Sequence, residues 1–143
     1  MTPDEATSLA QSCASARLEM PDCLELQHLQ GNAVKTARLL LGCILVRRLE
    51  DGSVLKGRIV EVEAYCGVCD QGSHSFAGKR TKKNESMYCP GGTGYVYCIH
   101  GYSNLNVICS TAQDPQGVLI RAVEPLQGLD HMRGATAFLT PRN

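Results

Sequence analysis

The run from Val54 to Tyr65 carries two carboxylates two positions apart, Glu61 and Glu63, and closes on a tyrosine. In an extended strand alternate residues share a face, so Ile59, Glu61, Glu63 and Tyr65 point one way and Val60, Val62 and Ala64 the other. The second set is expected to face the core. The Cα atoms of Glu61 and Glu63 then lie roughly 6–7 Å apart, and two carboxylates at that separation can serve a glycosidic bond as acid and base. The ordinary alternative is a solvated face whose acids pair with Arg47 or Arg58. Spacing alone favours the solvated face.

Other side chains narrow the chemistry. Tyr65, Tyr88, Tyr95, Tyr97 and Tyr102 all fall within 38 residues. Aromatic faces beside basic residues suit a pocket that stacks a nucleobase, although tyrosines are also routine sheet residues. Lys79, Arg80, Lys82 and Lys83 form the densest basic cluster, beside Asn84. Such a cluster can contact phosphates without sequence choice, or can be a solvated loop. No Gly-x-Ser-x-Gly elbow is present, and Gly91-Gly92-Thr93-Gly94 precedes a strand rather than a helix, which makes it a turn and not a phosphate cradle.

The elements that must position these residues are read from patterning. Asn32 is expected to cap a helix over 33–41 with Val34, Ala37 and Leu41 on one face and Gly42 ending it. A strand from Cys43 to Leu49 follows, and the Asp51-Gly52 turn predicts antiparallel pairing with the Val54–Tyr65 run. Residues 66–92 form a long Gly- and Lys-rich connection of the kind that carries function. Further strands are expected over Thr93–Ile99, with Tyr95, Tyr97 and Ile99 on one face, over Asn104–Cys109 and over Gly117–Val123. Pro125 is expected to open a helix reaching Met132-Arg133. The expected fold class is α+β, a single domain with a mostly antiparallel curved sheet and peripheral helices, incomplete at the C-terminus.

With 143 residues, 43% hydrophobic and 20% charged, the chain can bury a real core as one domain. Residues 1–22 are expected to be a flexible leader and 23–143 the folded domain. The net charge of zero hides an asymmetry: residues 1–30 hold five acids and one base, whereas residues 31–143 hold 13 bases and 9 acids. No apolar run approaches the ~20 residues of a membrane span, and the N-terminus lacks a signal-peptide pattern, so a soluble intracellular protein is expected. On that expectation the eight cysteines are free thiols, with Cys43, Cys98 and Cys109 as small core residues. Cys66-Gly-Val-Cys69 with His74 is the one zinc-like spacing, but a fourth ligand is missing, and no metal or other cofactor is expected.

Taken together, Arg58-Ile-Val-Glu-Val-Glu-Ala-Tyr65, His74-Ser75, Gly94-Tyr-Val-Tyr97, Asn106 and Val118-Leu-Ile-Arg-Ala-Val-Glu-Pro125 occur in the order seen in the alkyladenine DNA glycosylases. The chain resembles that family from about Leu24 to Arg133. The resemblance implies a base-excision-repair enzyme hydrolysing the N-glycosidic bond of alkylated or deaminated purines flipped out of duplex DNA. It implies that Glu63 activates the water and that Arg121 steadies both. Tyr65, His74 and Tyr97 would wall the base pocket, with Asn106 crowding the 2-amino group of normal guanine. Lys79, Arg80, Lys82 and Lys83 would meet the DNA backbone. The implied partner is double-stranded DNA containing damaged purines, bound by a monomer with no membrane association, in the nucleus and secondarily the mitochondrion.

Two departures qualify the resemblance. The family's tyrosine wedge position holds His100, and with one residue fewer between Gly101 and Asn106, Tyr102 is the alternative wedge. The tail from Gly134 to Asn143 no longer follows the family pattern, so the chain reads as a shortened form. Three functions therefore compete: an active glycosylase, a catalytically impaired relative that binds damaged DNA or a partner protein, and a small zinc-supported module using Cys66, Cys69 and His74.

Overall fold

The computed structural model describes residues 24–109, 111 and 113–134. The expected leader over 1–22 and the tail beyond 134 lie outside the described residues. Five antiparallel strands make one curled sheet, in the order β1-β2-β5-β4-β3, with two helices beside it. The strands are β1 (Ile44–Arg48), β2 (Val54–Tyr65), β3 (Gly94–Ile99), β4 (Tyr102–Ile108) and β5 (Gly117–Gln127); the helices are α1 (Ala33–Leu40) and α2 (Leu129–Gly134). The α+β expectation holds.

Helix α1 starts where the sequence predicts. Asn32 accepts a 2.8 Å hydrogen bond from the Lys35 amide, a cap worth about 1 kcal/mol. Gly42, at φ +85°, then turns the chain out of the helix. The buried face differs from the expected one. Ala33, Thr36, Ala37 and Leu40 face the sheet, whereas Val34 and Leu41 are exposed. Small residues at 33, 36 and 37 let the helix axis approach the strands closely, and the bulkier Val34 is turned outward. The helix covers Ile59, Val118, Ile120 and Val123, which with Cys109 form the main core.

β1 and β2 pair through the Asp51-Gly52 turn as expected, Arg48 opposite Val54. Alternation then breaks in β2. Ile59 is 2% exposed and Val60 is 47% exposed, the reverse of the expected facing. The β2–β5 ladder slips by one residue between Ile59 and Glu61 and recovers between Glu61 and Val62. The core face is thus carried by Ile59 before the step and by Val62 and Ala64 after it. Beyond the step Glu63 and Tyr65 share the opposite face, and Glu61, in the step, is exposed.

The C-terminal expectation also changes. Pro125 opens no helix; it lies in β5 opposite Gly57, and α2 begins after Gly128 at φ +84°. β4 pairs with β5 only from Gly117 to Leu119. At Pro125 the strand is paired with β2 alone, and proline is tolerated where a strand has one free edge. Of the thiols, Cys109 is buried and Cys43 packs against the core, but Cys98 is exposed, because β3 is an edge strand and Cys98 points away from the Tyr95–Tyr97 face. The six described cysteines are free.

Candidate active site

On the sheet face opposite α1, one row of paired residues crosses four strands. Glu63 of β2 lies opposite Leu119 of β5, Leu119 opposite Asn106 of β4, and Asn106 opposite Tyr95 of β3. In the next row Tyr65 faces Gly117, which pairs with Ile108. A Cβ on Gly117 would meet Ile108 Cδ1 at 3.3 Å, so this glycine keeps the floor between Tyr65 and Ile108 open. Above that floor lies a cleft of about 220 Å³ whose walls include Tyr65, His74, Met87, Tyr95, Tyr97 and Asn106. It is smaller than the ~300–1,000 Å³ sites of drug-sized ligands and suits a single heterocycle.

Glu63 is tied to one wall of the cleft through Tyr65. Tyr65 Oη donates a 2.6 Å hydrogen bond to Glu63 Oε2, and Arg121 Nε lies 3.3 Å from Glu63 Oε1. Each carboxylate oxygen therefore has one cationic or hydroxyl partner, with lone pairs left for a solvent molecule. Both side chains are about two-fifths exposed, so the pair is at a wet edge and not in a dry core. The phenol of Tyr65 is held well above the ordinary tyrosine range, first by burial and then by its bond to the carboxylate. Tyr97 is raised by burial and by the Glu63 charge, while Arg121 pulls it down. Glu61 takes no part, and the two-carboxylate arrangement gives way to a carboxylate–guanidinium pair.

The far wall is aromatic. His74 Nδ1 and the Tyr95 hydroxyl share a 2.8 Å hydrogen bond. The His74 ring lies edge-on to Tyr97 at 4.5 Å between centroids, and Tyr95 and Tyr97 are 5.5 Å apart. Burial, then the neighbouring Tyr97, raises the Tyr95 phenol. Asn106 is 4% exposed, its Nδ2 donating to the Tyr95 carbonyl at 3.3 Å. Asp70 closes the turn after Tyr65, accepting from the amides of Cys66 at 2.8 Å and Gly72 at 2.9 Å.

The structure thus brings together Glu63, Arg121, Tyr65, His74, Tyr97 and Asn106. Sequence reasoning left Tyr95, Met87 and Gly117 out of the site. For Tyr95 the signal was present, since it alternates onto the Tyr97 face; Met87 and Gly117 carried none. His100 lies in the β3–β4 turn and Tyr102 opens β4 beside it, at the end of a ribbon that reaches past β5, both exposed. Lys79, Lys82 and Lys83 are exposed on the connecting loop. Arg80 is engaged by Glu85, which accepts from both Nε and Nη2, and it lies 4.6 Å over the Tyr88 ring. Among the described residues no three His, Cys, Asp or Glu side chains converge as a metal ion requires, and the Cys69 thiol bonds instead to the Cys66 carbonyl. Among them, too, no helix is long and apolar enough to cross a membrane.

The family model described as Methylpurine-DNA glycosylase (MPG) matches residues 27–138. The human protein named DNA-3-methyladenine glycosylase is 48% identical over 111 residues, covering 77% of this chain and 37% of its own length. A Clostridium botulinum (strain Alaska E43 / Type E3) protein is 49% identical over 102 residues, covering 71% of this chain and 50% of its own. The Rattus norvegicus DNA-3-methyladenine glycosylase is 47% identical over 116 residues, 80% of this chain and 36% of its own. The chain spans about half the length, or less, of these curated relatives. It belongs to the methylpurine-DNA glycosylase family.

Proposed function

We propose that this chain is a monofunctional DNA N-glycosylase of base-excision repair, acting as a monomer in the nucleus, with residues 23–143 as its catalytic unit. The observation that carries the proposal is the Glu63 carboxylate, held by Arg121 and by Tyr65, which is itself a wall of a cleft sized for one base. The substrate is an alkylated or deaminated purine, such as 3-methyladenine, 7-methylguanine, hypoxanthine or ethenoadenine, extruded from duplex DNA. Extrusion costs a few kcal/mol and least for damaged or mispaired bases, so unstacking itself contributes to selection.

In this reading the base lies against His74, Tyr65 and Tyr97, with Asn106 at the cleft floor excluding a 2-amino group. A water bound to Glu63 attacks the anomeric carbon. The glycosidic electron pair leaves with the purine, neutralising a methylated cationic base, while a neutral base such as hypoxanthine leaves as its anion and takes a proton from solvent; the water proton passes to Glu63. Arg121 keeps the carboxylate aimed. No lysine stands among these groups to form a Schiff base, which favours hydrolysis without strand cleavage. Lys79, Lys82 and Lys83 contact phosphates, with Arg80 joining them only on leaving Glu85, and His100 or Tyr102 fills the emptied stack.

The test is excision of 1,N6-ethenoadenine or hypoxanthine from a duplex. Glu63→Gln should abolish release while leaving lesion binding intact. A folded wild-type chain that binds such DNA and releases no base would instead support the impaired-relative reading.

A further inference from the structure

Asn84 lies outside the cleft, yet its side chain is 4% exposed and its amide is used to capacity. Nδ2 donates to the His74 carbonyl at 2.9 Å and to the Lys79 carbonyl at 2.8 Å. Oδ1 accepts from the Thr81 amide at 2.7 Å and from Thr81 Oγ1 at 3.0 Å. Two donors and two acceptor sites are all that a primary amide has. The Asn84 carbonyl also accepts from the amide of Met87, which is buried against Tyr95 beneath the cleft. Lys79 is held a second time, by the Tyr88 hydroxyl at 2.8 Å.

One buried side chain thus joins the backbone that presents the His74 ring to the backbone that presents Lys79, Lys82 and Lys83. No regular ladder constrains the loop between them, and losing the Asn84 amide would strip the His74 carbonyl of this bond and leave the Lys79 carbonyl with the Tyr88 hydroxyl alone. We infer that Asn84 is a positioning residue that couples the aromatic base wall to the lysine loop, so that phosphate engagement and the placing of His74 are set together. The inference rests on the glycosylase reading for its functional meaning, but its structural content does not.

Asn84→Asp keeps the shape and the Oδ1 acceptor and removes both donors. Single-turnover excision at saturating enzyme should fall about 10- to 100-fold, as expected for a displaced contact group. The slope of log affinity against log salt on undamaged duplex should also lessen, by about 1 for each phosphate contact given up. Lys82→Ala should lessen the salt slope while the His74 ring signals of the free protein stay in place. In the free protein, the His74 ring signals, displaced by the Tyr97 ring, should move towards unstructured values while the signals of β2 and β5 stay in place. Should Asn84→Asp fail to fold, Thr81→Ala removes one of the four bonds, and the same signals should move in the same direction by less. Unchanged His74 signals in a folded Asn84→Asp or Thr81→Ala protein overturn the inference. A wild-type chain without excision would defeat the glycosylase reading, while the free-protein comparison still decides the role of Asn84.

Discussion

Arg121 Nε stands 3.3 Å from Glu63 Oε1 across the β2–β5 boundary, beside the step where that ladder slips by a residue and recovers. Arg121 has no register partner in the step, so its side chain is delivered to the carboxylate by the irregularity. An ion pair this exposed contributes only about 0–1 kcal/mol to stability. Arg121→Gln should therefore leave thermal unfolding nearly unchanged while lowering single-turnover base release on the order of 100-fold, the scale of losing a fixed charge near a reacting centre. Calorimetry and excision kinetics on one preparation check it; a large loss of stability with an unchanged rate would assign Arg121 to the scaffold.

Tyr65 is placed to serve twice, its ring lining the cleft and its hydroxyl bonding to Glu63. Tyr65→Phe should keep the wall, cost about 1 kcal/mol of stability and slow release by about tenfold, the 1.4 kcal/mol scale of one hydrogen bond. The pH dependence has a definite sign. The folded phenol is raised above its unfolded value, so its stabilisation is complete below the ordinary tyrosine range, near pH ~10. It is lost as pH climbs from there through the folded value. In a spectrophotometric titration the last tyrosine to ionise before unfolding should vanish in Tyr65→Phe; an unaltered late phase would contradict the assignment.

Local chemistry made much of this legible. The Asn32 cap, the Asp51-Gly52 turn and the tyrosine alternation in β3 each depend on residues within a few positions of one another, and each is found. Resemblance, not spacing, selected Glu63 over Glu61, and the ladder step supplies the physical reason: Glu61 lies in the slip and Glu63 beyond it. That slip depends on β5, some sixty residues away, so no pattern within β2 could announce it. The same holds for Pro125, acceptable in a strand because β4 stops short of it. Asn84 read as a neutral neighbour of a basic cluster because its partners, His74 and Lys79, declare themselves only when the loop closes.

Thiol reactivity tests the described core without reference to DNA. Burial raises the Cys109 thiol to about 11 and raises that of Cys43. A thiolate is the reactive form, so burial and a raised pKa both protect. Cys69 and Cys98 are exposed. At pH 8, mass-resolved alkylation should modify Cys69 and Cys98 early and Cys109 only after denaturant is added. Early labelling of Cys109 in folded protein would mean that the α1–sheet core is not closed as described.

The β3–β4 turn sets up a trade between flipping and stability. His100 sits at φ +51° and Gly101 at φ +83°, the pair of left-handed residues that a two-residue hairpin needs. Histidine is among the side chains that tolerate this region, together with asparagine and aspartate, whereas bulkier residues are strained in it. A ring at this tip is also placed to enter a base stack, and a phenol offers a larger face than an imidazole. His100→Tyr should raise the fluorescence of a flipped base analogue while lowering stability by about 1 kcal/mol. His100→Asn should hold the turn and lose the stacking gain. If Tyr102 supplies the wedge instead, His100→Tyr will leave the fluorescence unchanged and Tyr102→Ala will abolish it, so the two variants measured together identify which side chain enters the duplex.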